Sequence, residues 1–432
     1  MNDPLTEQLI NSQYLIPIFL GSLFAASFLA LKIRIPYAII LAFVGIAISI
    51  FHFAGVNAIV FDKFKVDSRL ILFFIIPPLI FDAMIRINRI DFKSIQISTF
   101  LLATVGTVLA TVVGGLVLGY LSGLPFIIAF AFAALMSPTD AAVVIEIFKR
   151  VRVPKSLSTL MESEASLNDA TGAIVYSSII AIVIAQGSLV YGSTNGLESL
   201  NLDIFEQVKN FAIVFFGGIA VGLAFAVAGQ KLHHLMEEPL SETGLTLAIV
   251  FGSVVTANSL GVSGLVAVAI AGLYFGHVTS KQEKAISEKT RTFVFNFWEM
   301  IAYVANSLAF LYLGLSMDLS SIGTHLPLVV FAVIAVLAGR FVSTYSVLGI
   351  TNRFTKEKIP MAWRHVAMIG SMRGAISVAL VGMLPESDFK NILQTMTFGV
   401  VLSSLILQYP VLLKYIKIRF KDTVSENNTS LS

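Results

Sequence analysis

The residues that could do chemistry in this 432-residue chain are ionisable side chains lodged in apolar surroundings. Residues 161–176 read MESEASLNDATGAIVY, which sets Glu162, Glu164, Asn168 and Asp169 inside a long apolar region. Charged groups are expensive to place in a membrane span, so they mark functional positions. Read as a helix, Glu164 and Asn168 are four apart and share a face, while Asp169 is turned about 100° from Asn168. A helix starting near Lys155, at a basic end, puts Asp169 roughly 20 Å along its axis. The hydrocarbon core is about 30 Å thick, so this carboxylate lies near its middle. There it must be protonated, paired or bound to a cation, and alternation between two of those states is its expected chemistry.

Four further groups belong with it. In AALMSPTDAAVVIEIF, Pro138 removes a backbone donor and disfavours helix at Ser137, and Asp140 follows the break. A proline kink with a capping aspartate would also explain that spacing. A second interruption, MIGSMRGAISVAL, carries Gly370, Ser371, Arg373 and Gly374 at its centre. Backbone freed at membrane depth is tolerated only in a cavity wall or buried in protein. Two interrupted spans in matching places of two halves point to a transporter built from inverted repeats. Helices crossing at the breaks oppose their dipoles, and Asp140 and Arg373 have the charges to compensate them. Glu164 and Arg340 are the remaining deep pair; an unpaired charge there is costly, so an ion pair between their spans is expected.

Other polar residues invite plainer readings. Asp82 can pair with Arg86 along its helix or line a vestibule. Glu299 reads as structural or vestibular, and His233 and His234 as solvated loop residues. Gly114-Gly115 and Gly217-Gly218 read as packing devices. The chain contains no Walker-type phosphate loop, His/Cys metal spacing or G-x-S-x-G.

The elements that must position these residues are membrane helices. The chain is 56% hydrophobic and 13% charged, with mean hydropathy +0.86, where soluble domains carry about 25% charged residues. It has 34 Phe, 30 Gly and no Cys, which excludes disulfides and thiolate metal sites. The polar N-terminal stretch lacks a basic signal-peptide region, so the first apolar run is expected to stay as a helix. About thirteen apolar spans are legible, centred near Leu23, Val44, Ile76, Val108, Ala133, Ala173, Gly218, Val250, Val268, Ala309, Ala335, Ser371 and Val401. Of the 29 basic residues, 22 fall in alternate loops, and the stretch from Gly187 to Glu206 has none. The positive-inside rule then sets the N-terminus outside and the C-terminus in the cytoplasm. The fold class is therefore an all-α, multi-pass membrane protein.

Ser137-Pro-Thr-Asp140, then Glu164-Ala-Ser-Leu-Asn168-Asp169, then GSMRGA at 370–375, in that order, resemble the NhaP-type sodium/proton antiporters, prokaryotic relatives of the animal sodium/proton exchangers. PPLIFDA at 77–83 and Phe297-Trp298-Glu299 with Asn306 fit the same pattern. The resemblance covers nearly the whole chain. It implies thirteen helices in two inverted repeats with crossed discontinuous helices, the NhaA-like antiporter fold. It implies a core domain at about 95–187 and 326–417, a dimerisation domain at about 14–90 and 241–316, a linker helix at about 207–230, and a short cytoplasmic tail at 418–432. Asp169 becomes the main cation and proton site, helped by Asp140 and Thr139, with Asn168 its neutral neighbour. Glu164 and Arg340 match the family's stabilising ion pair, and Arg373 the arginine of the broken twelfth helix. One position departs: where the family commonly reads Glu-Ser-x-x-Asn-Asp, this chain has Ala165, with Ser166 next.

The expected activity is exchange of Na⁺ or Li⁺ for H⁺ across the cell membrane by a homodimer, electroneutral, with no cofactor, no nucleic acid and no enzymatic reaction. Hard cations prefer oxygen ligands, which two carboxylates, a hydroxyl and freed carbonyls supply. The residues do not fix ion size, so K⁺/H⁺ exchange is an alternative, as is a non-transporting sensor. An intramembrane aspartyl protease would use two aspartates as an acid–base pair, but its Gly-x-Gly-Asp pattern is absent.

Overall fold

The structure, a computed structural model, describes residues 15–33, 35–53, 71–87, 89–151, 153–185, 204–233, 238–281, 288–316, 319–384 and 387–420. Among them the chain is helical throughout, and each span centre read from the sequence falls on a helix or in a helix interruption. The first helices are α1 (Leu15–Ile33), α2 (Tyr37–Phe53) and α3 (Ile76–Ile85), the last preceded by a wider π-helical turn, Ile71–Ile75. Then come α4 (Arg89–Leu101), a π turn (Leu102–Gly106), α5 (Thr107–Ser122), α6 (Phe126–Leu135), α7 (Ala142–Arg150) and α8 (Lys155–Ala185). The second half holds α9 (Ile204–His233), α10 (Pro239–Ser259), α11 (Gly264–Lys281), α12 (Glu288–Leu315), α13 (Leu319–Thr324) and α14 (Leu326–Phe354). The chain closes with α15 (Met361–Ile369), α16 (Ala375–Gly382), α17 (Asp388–Ser403), a π turn (Ser404–Gln408) and α18 (Tyr409–Arg419).

By length and apolarity, six stretches among the described residues can cross a membrane: Asp91–Ser122, Val208–Leu232, Pro239–Ser259, Thr290–Leu315, Leu326–Phe354 and Phe389–Arg419. The protein is therefore a multi-pass membrane protein. The site-bearing segments are absent from that set for a physical reason. α8 is made polar by Glu162, Glu164, Asn168 and Asp169 within its apolar run, and α6–α7 and α15–α16 are cut into short pieces.

Local chemistry sets the boundaries. Gly123 ends α5 in the left-handed region (φ 69°), which glycine adopts without a Cβ penalty, and Pro125 then caps α6. Prolines open α10 and α14 within the first turn, where no amide donor is lost. His233 closes α9 instead of sitting in a loop, and the preceding polar connection stops short of Glu206, which is already helical. His234 lies outside the described residues, as do 1–14 and 421–432. α18 runs to Arg419, two residues into the stretch read as tail.

Small residues let the helices meet closely. A Cβ at Gly339 of α14 would lie 2.5 Å from the Ala110 carbonyl oxygen of α5, and one at Gly45 of α2 the same distance from the Leu311 carbonyl of α12. Gly114-Gly115 and Gly217-Gly218 do the same against Ala133, Phe130, Val262 and Ser263, as expected of packing glycines. One group of helices packs α4–α8 against α14–α18; a second packs α1–α3 with α9–α12. α8 touches α3 and α11, and α12 touches α16, so the seam between the groups runs along the broken helices and α8.

Candidate ion-binding site

The first interruption lies between α6 and α7. Pro138 cannot donate, so the chain from Met136 to Ala141 leaves the helix. The second lies between α15 and α16, where Gly370–Gly374 is non-helical. The two pass each other in contact. The Asp140 amide donates to the Met372 carbonyl at 2.8 Å, and the Ser377 hydroxyl to the Leu135 carbonyl at 2.8 Å. Arg373 Nη1 donates to the Ser137 and Pro138 carbonyls at 3.0 and 2.8 Å, beyond the C-terminal end of α6. The Asp140 carboxylate accepts the Ala142 amide at 2.8 Å, at the N-terminal end of α7. Cation thus faces the negative end of one dipole and anion the positive end of another. Gly374 is needed here because a Cβ would lie 2.7 Å from that of Asp140.

Glu164 and Arg340 are paired and buried. Arg340 Nη1 and Nη2 donate to the two carboxylate oxygens of Glu164 at 2.8 and 3.2 Å, the bidentate geometry that guanidinium favours. The same guanidinium also donates to the Ala367 carbonyl, from Nε at 3.3 Å and Nη2 at 3.1 Å. That contact compensates the C-terminal end of α15 as Arg373 compensates α6. Sequence reasoning gave Arg340 a carboxylate partner and missed the carbonyl, because a backbone acceptor leaves no mark on residue type.

Asn168 is wholly engaged. Its Oδ1 accepts the Thr139 amide at 3.1 Å, and its Nδ2 donates to Thr139 Oγ1 and Glu164 Oε1, each at 2.8 Å. Thr139 Oγ1 donates to Glu164 Oε2 at 3.4 Å. Asn168 is fully buried and does not line the cavity described next. Its amide locks the first interruption to α8.

A cavity of about 740 Å³ lies on the seam between the helix groups. Asp169, Asp140, Thr139, Ala165 and Ser166 line one part of it, and the exposed residues Arg86, Lys149 and Glu299 another. The Asp169 carboxylate has no hydrogen-bond or ion-pair partner among the described residues, and it lies within electrostatic reach of Asp140 and Glu164. The Ser166 hydroxyl donates to the Glu162 carbonyl at 2.9 Å, so its oxygen keeps lone pairs free. Ala165 offers the same wall only a methyl group. Among the exposed residues, Arg86 pairs with Asp82 at 2.8 Å and Glu299 at 3.6 Å and donates to the Phe295 carbonyl at 2.8 Å. Asn306 reaches the Tyr37 hydroxyl at 3.0 Å on the cavity wall.

Glu146 and Glu162 also line the cavity; the sequence marked Glu162 only as one charged residue of its apolar region and did not single out Glu146. Glu162 had a usable signal: it precedes Asp169 by two helical turns and so shares its face. Glu146 had none, since its orientation depends on where the break aims α7. The arrangement sets Arg86, Lys149 and Glu299 at the exposed part of the cavity and the Thr139 and Ser166 hydroxyls with the Asp140 and Asp169 carboxylates at the buried part. Oxygen donors of that kind suit a hard cation or a proton.

A carboxylate-lined cavity inside an apolar helical bundle, walled by two crossed helix interruptions, defines a membrane transporter of ions. This chain belongs to the sodium/hydrogen exchanger family, whose transmembrane model matches residues 18–414. It is 30% identical over 380 residues to the low-affinity Na⁺/H⁺ antiporter NhaS1 of Synechocystis, spanning 87% of this chain and 68% of that protein. It is likewise 30% identical over 355 residues to the Na⁺/H⁺ antiporter NhaP of Pseudomonas aeruginosa, with 79% of each covered. The solved structure of the sodium proton antiporter MjNhaP1 from Methanocaldococcus jannaschii superimposes with a TM-score of 0.73 at 19% identity, over 95% of this chain and 98% of that one. Its relatives are antiporters, not enzymes.

Proposed function

We propose that this protein exchanges Na⁺ or Li⁺ for H⁺ one for one, with ion and proton competing for Asp169. The observation that carries this reading is the Asp169 carboxylate: it faces the cavity without a partner among the described residues, while Asn168, Glu164 and Arg340 beside it are held by hydrogen bonds. Asp140, Thr139 and Ser166 supply further oxygens around the ion. When the ion leaves, the same carboxylate takes a proton, and rocking of one helix group against the other exposes it to the opposite side. Competition at one alternately exposed site is sufficient for coupling.

The proposed topology has thirteen spans with the N-terminus outside and the C-terminus in the cytoplasm. Arg86 and Lys149 would then put the exposed part of the cavity on the cytoplasmic side. The α4–α8 and α14–α18 group would be the moving core, with α9 the linker and the other helices forming the homodimer contact. Dye-quench transport in everted vesicles, with Na⁺, Li⁺ and K⁺ in turn, tests the function. Quench reversal by Na⁺ or Li⁺ is expected; reversal by K⁺ alone would replace this reading with K⁺/H⁺ exchange, and no reversal by any of them would remove transport of these ions.

A further inference from the structure

A polar corner formed by α14, α15 and α18 takes no part in the site above. His365 Nδ1 lies 2.8 Å from the Tyr415 hydroxyl, with the two rings edge to face at 5.6 Å. The Tyr345 ring stands 6.0 Å from His365 on the third helix. Arg364 donates from Nε to the Ile359 carbonyl at 3.4 Å and extends over Gly349 of α14. It lies within electrostatic reach of the Tyr345 hydroxyl, as Arg419 does of Tyr415. Two guanidinium groups, two phenols and an imidazole therefore lie on three neighbouring helices, near the start of α15 and the end of α18, with Tyr345 nine residues before the end of α14.

The charge around this corner is one-sided. Arg353, Lys356, Lys358, Lys414 and Lys417 are exposed at the same helix ends. Neither these nor Arg364 and Arg419 have an ion-pair partner among the described residues. The connection between α14 and α15 holds one carboxylate, Glu357, which is exposed. Next to this cationic rim the helix surfaces turn apolar: Phe341 and Ile350 on α14, and Val411 and Ile418 on α18, are each more than half exposed, at 53, 55, 55 and 67%. Tyr415 stands four residues before the end of α18, roughly 6 Å along the axis, which is headgroup depth. Guanidinium pairs bind phosphate oxygens through charge-assisted hydrogen bonds, and clustered basic side chains at a membrane surface attract anionic lipid.

We propose that this corner binds an anionic phospholipid, its phosphate held by Arg364 and Arg419 beside the Tyr345 and Tyr415 hydroxyls and its acyl chains along Phe341, Ile350 and Val411. Because Arg364 and His365 belong to α15, whose Ala367 carbonyl is held by Arg340, the lipid would anchor the outer end of that half-helix. The binding claim does not depend on which ion is transported.

Native mass spectrometry of the detergent-purified full chain with phosphatidylglycerol or phosphatidylcholine tests it. Wild type should retain phosphatidylglycerol several-fold better than phosphatidylcholine, and the Arg364→Gln/Arg419→Gln variant should lose that preference. A control of equal charge change at exposed residues of other helices, Lys93→Gln on α4 and Lys231→Gln on α9, should keep it. Equal retention by wild type and the Arg364/Arg419 variant, or equal loss by the control, would overturn the site. Release of the lipid by millimolar inorganic phosphate would show a soluble-anion site instead and would also overturn it. A measurement on the unaltered protein guards against a variant that does not fold. Hydrogen exchange in 410–419 should slow in phosphatidylglycerol-containing nanodiscs relative to pure phosphatidylcholine, and unchanged exchange would count against the proposal.

Discussion

The Asp140 amide donates to the Met372 carbonyl at 2.8 Å, joining the two helix interruptions backbone to backbone. Arg373 reinforces the crossing from the other side through the Ser137 and Pro138 carbonyls. The two interruptions that wall the candidate ion site are therefore tied to each other by groups other than the Asp169 and Asp140 carboxylates. Side-chain chemistry at Asp169 and Asp140 can change without undoing that tie.

Asp169→Asn should abolish Na⁺-dependent proton flux while leaving expression, insertion and melting temperature near wild type. Its carboxylate has no structural partner to lose among the described residues. Undiminished flux in reconstituted vesicles would remove Asp169 from the transport role.

Glu164→Ala should act on stability. It strips Arg340 of its carboxylate and also takes an acceptor from Asn168 and Thr139. Breaking a buried pair on one side typically costs about 3–5 kcal/mol. Melting in detergent should drop clearly, and Arg340→Ala should drop at least as far, since Ala367 then loses its donor too. An unchanged melting temperature with lost transport would instead make Glu164 a ligand.

Gly374→Ala probes the contact between the interruptions. The added methyl would lie 2.7 Å from the Asp140 Cβ and must displace that side chain. Displacement by about 1 Å can cost a factor of about 100 in rate. Overpacking costs typically 1–3 kcal/mol, so the variant should fold. Wild-type turnover with unaltered Na⁺ dependence would show that the position of Asp140 is not critical.

Ala165→Ser would put a hydroxyl on the cavity wall one helical turn before Asp169. One added hydrogen-bonding or ligating oxygen is worth about 1 kcal/mol. The apparent KM for Na⁺ or Li⁺ should fall about three- to tenfold with little change in maximal rate. A raised KM would mean that the methyl group is required for space.

Exchange should be electroneutral. Asn168 cannot titrate, and if Asp140 keeps one protonation state, Asp169 alone carries either H⁺ or Na⁺. The loaded site then has one charge on both strokes, and membrane potential does no net work. Proteoliposomes clamped with K⁺ and valinomycin, without a pH gradient, provide the measurement. Proton flux that follows the clamped potential would implicate a second titrating carboxylate.

Several features were legible in the sequence because they are local or obligatory. Pro138 removes a backbone donor, and the glycines around Arg373 weaken the helix preference of that stretch. The i, i+4 spacing of Glu164 and Asn168 and the 100° turn to Asp169 follow from helix geometry, and α8 does start at Lys155. A charge as deep as Glu164 requires a partner, and Arg340 was one of the few cations at matching depth.

What only the tertiary structure decided concerns where groups meet across long sequence separations. Arg373 and Ser137 are 236 positions apart, and no pattern in residue type specifies which carbonyl a guanidinium will find. The same holds for Arg340 and Ala367, and for Glu146 in the cavity wall. Asn168 and Asp169 are adjacent and equally polar in the sequence. Packing separates them: the first is consumed by Thr139 and Glu164, and the second is left facing the cavity. Helical periodicity fixes that two neighbours point in different directions. Only the arrangement of the other helices fixes which direction holds protein and which holds water.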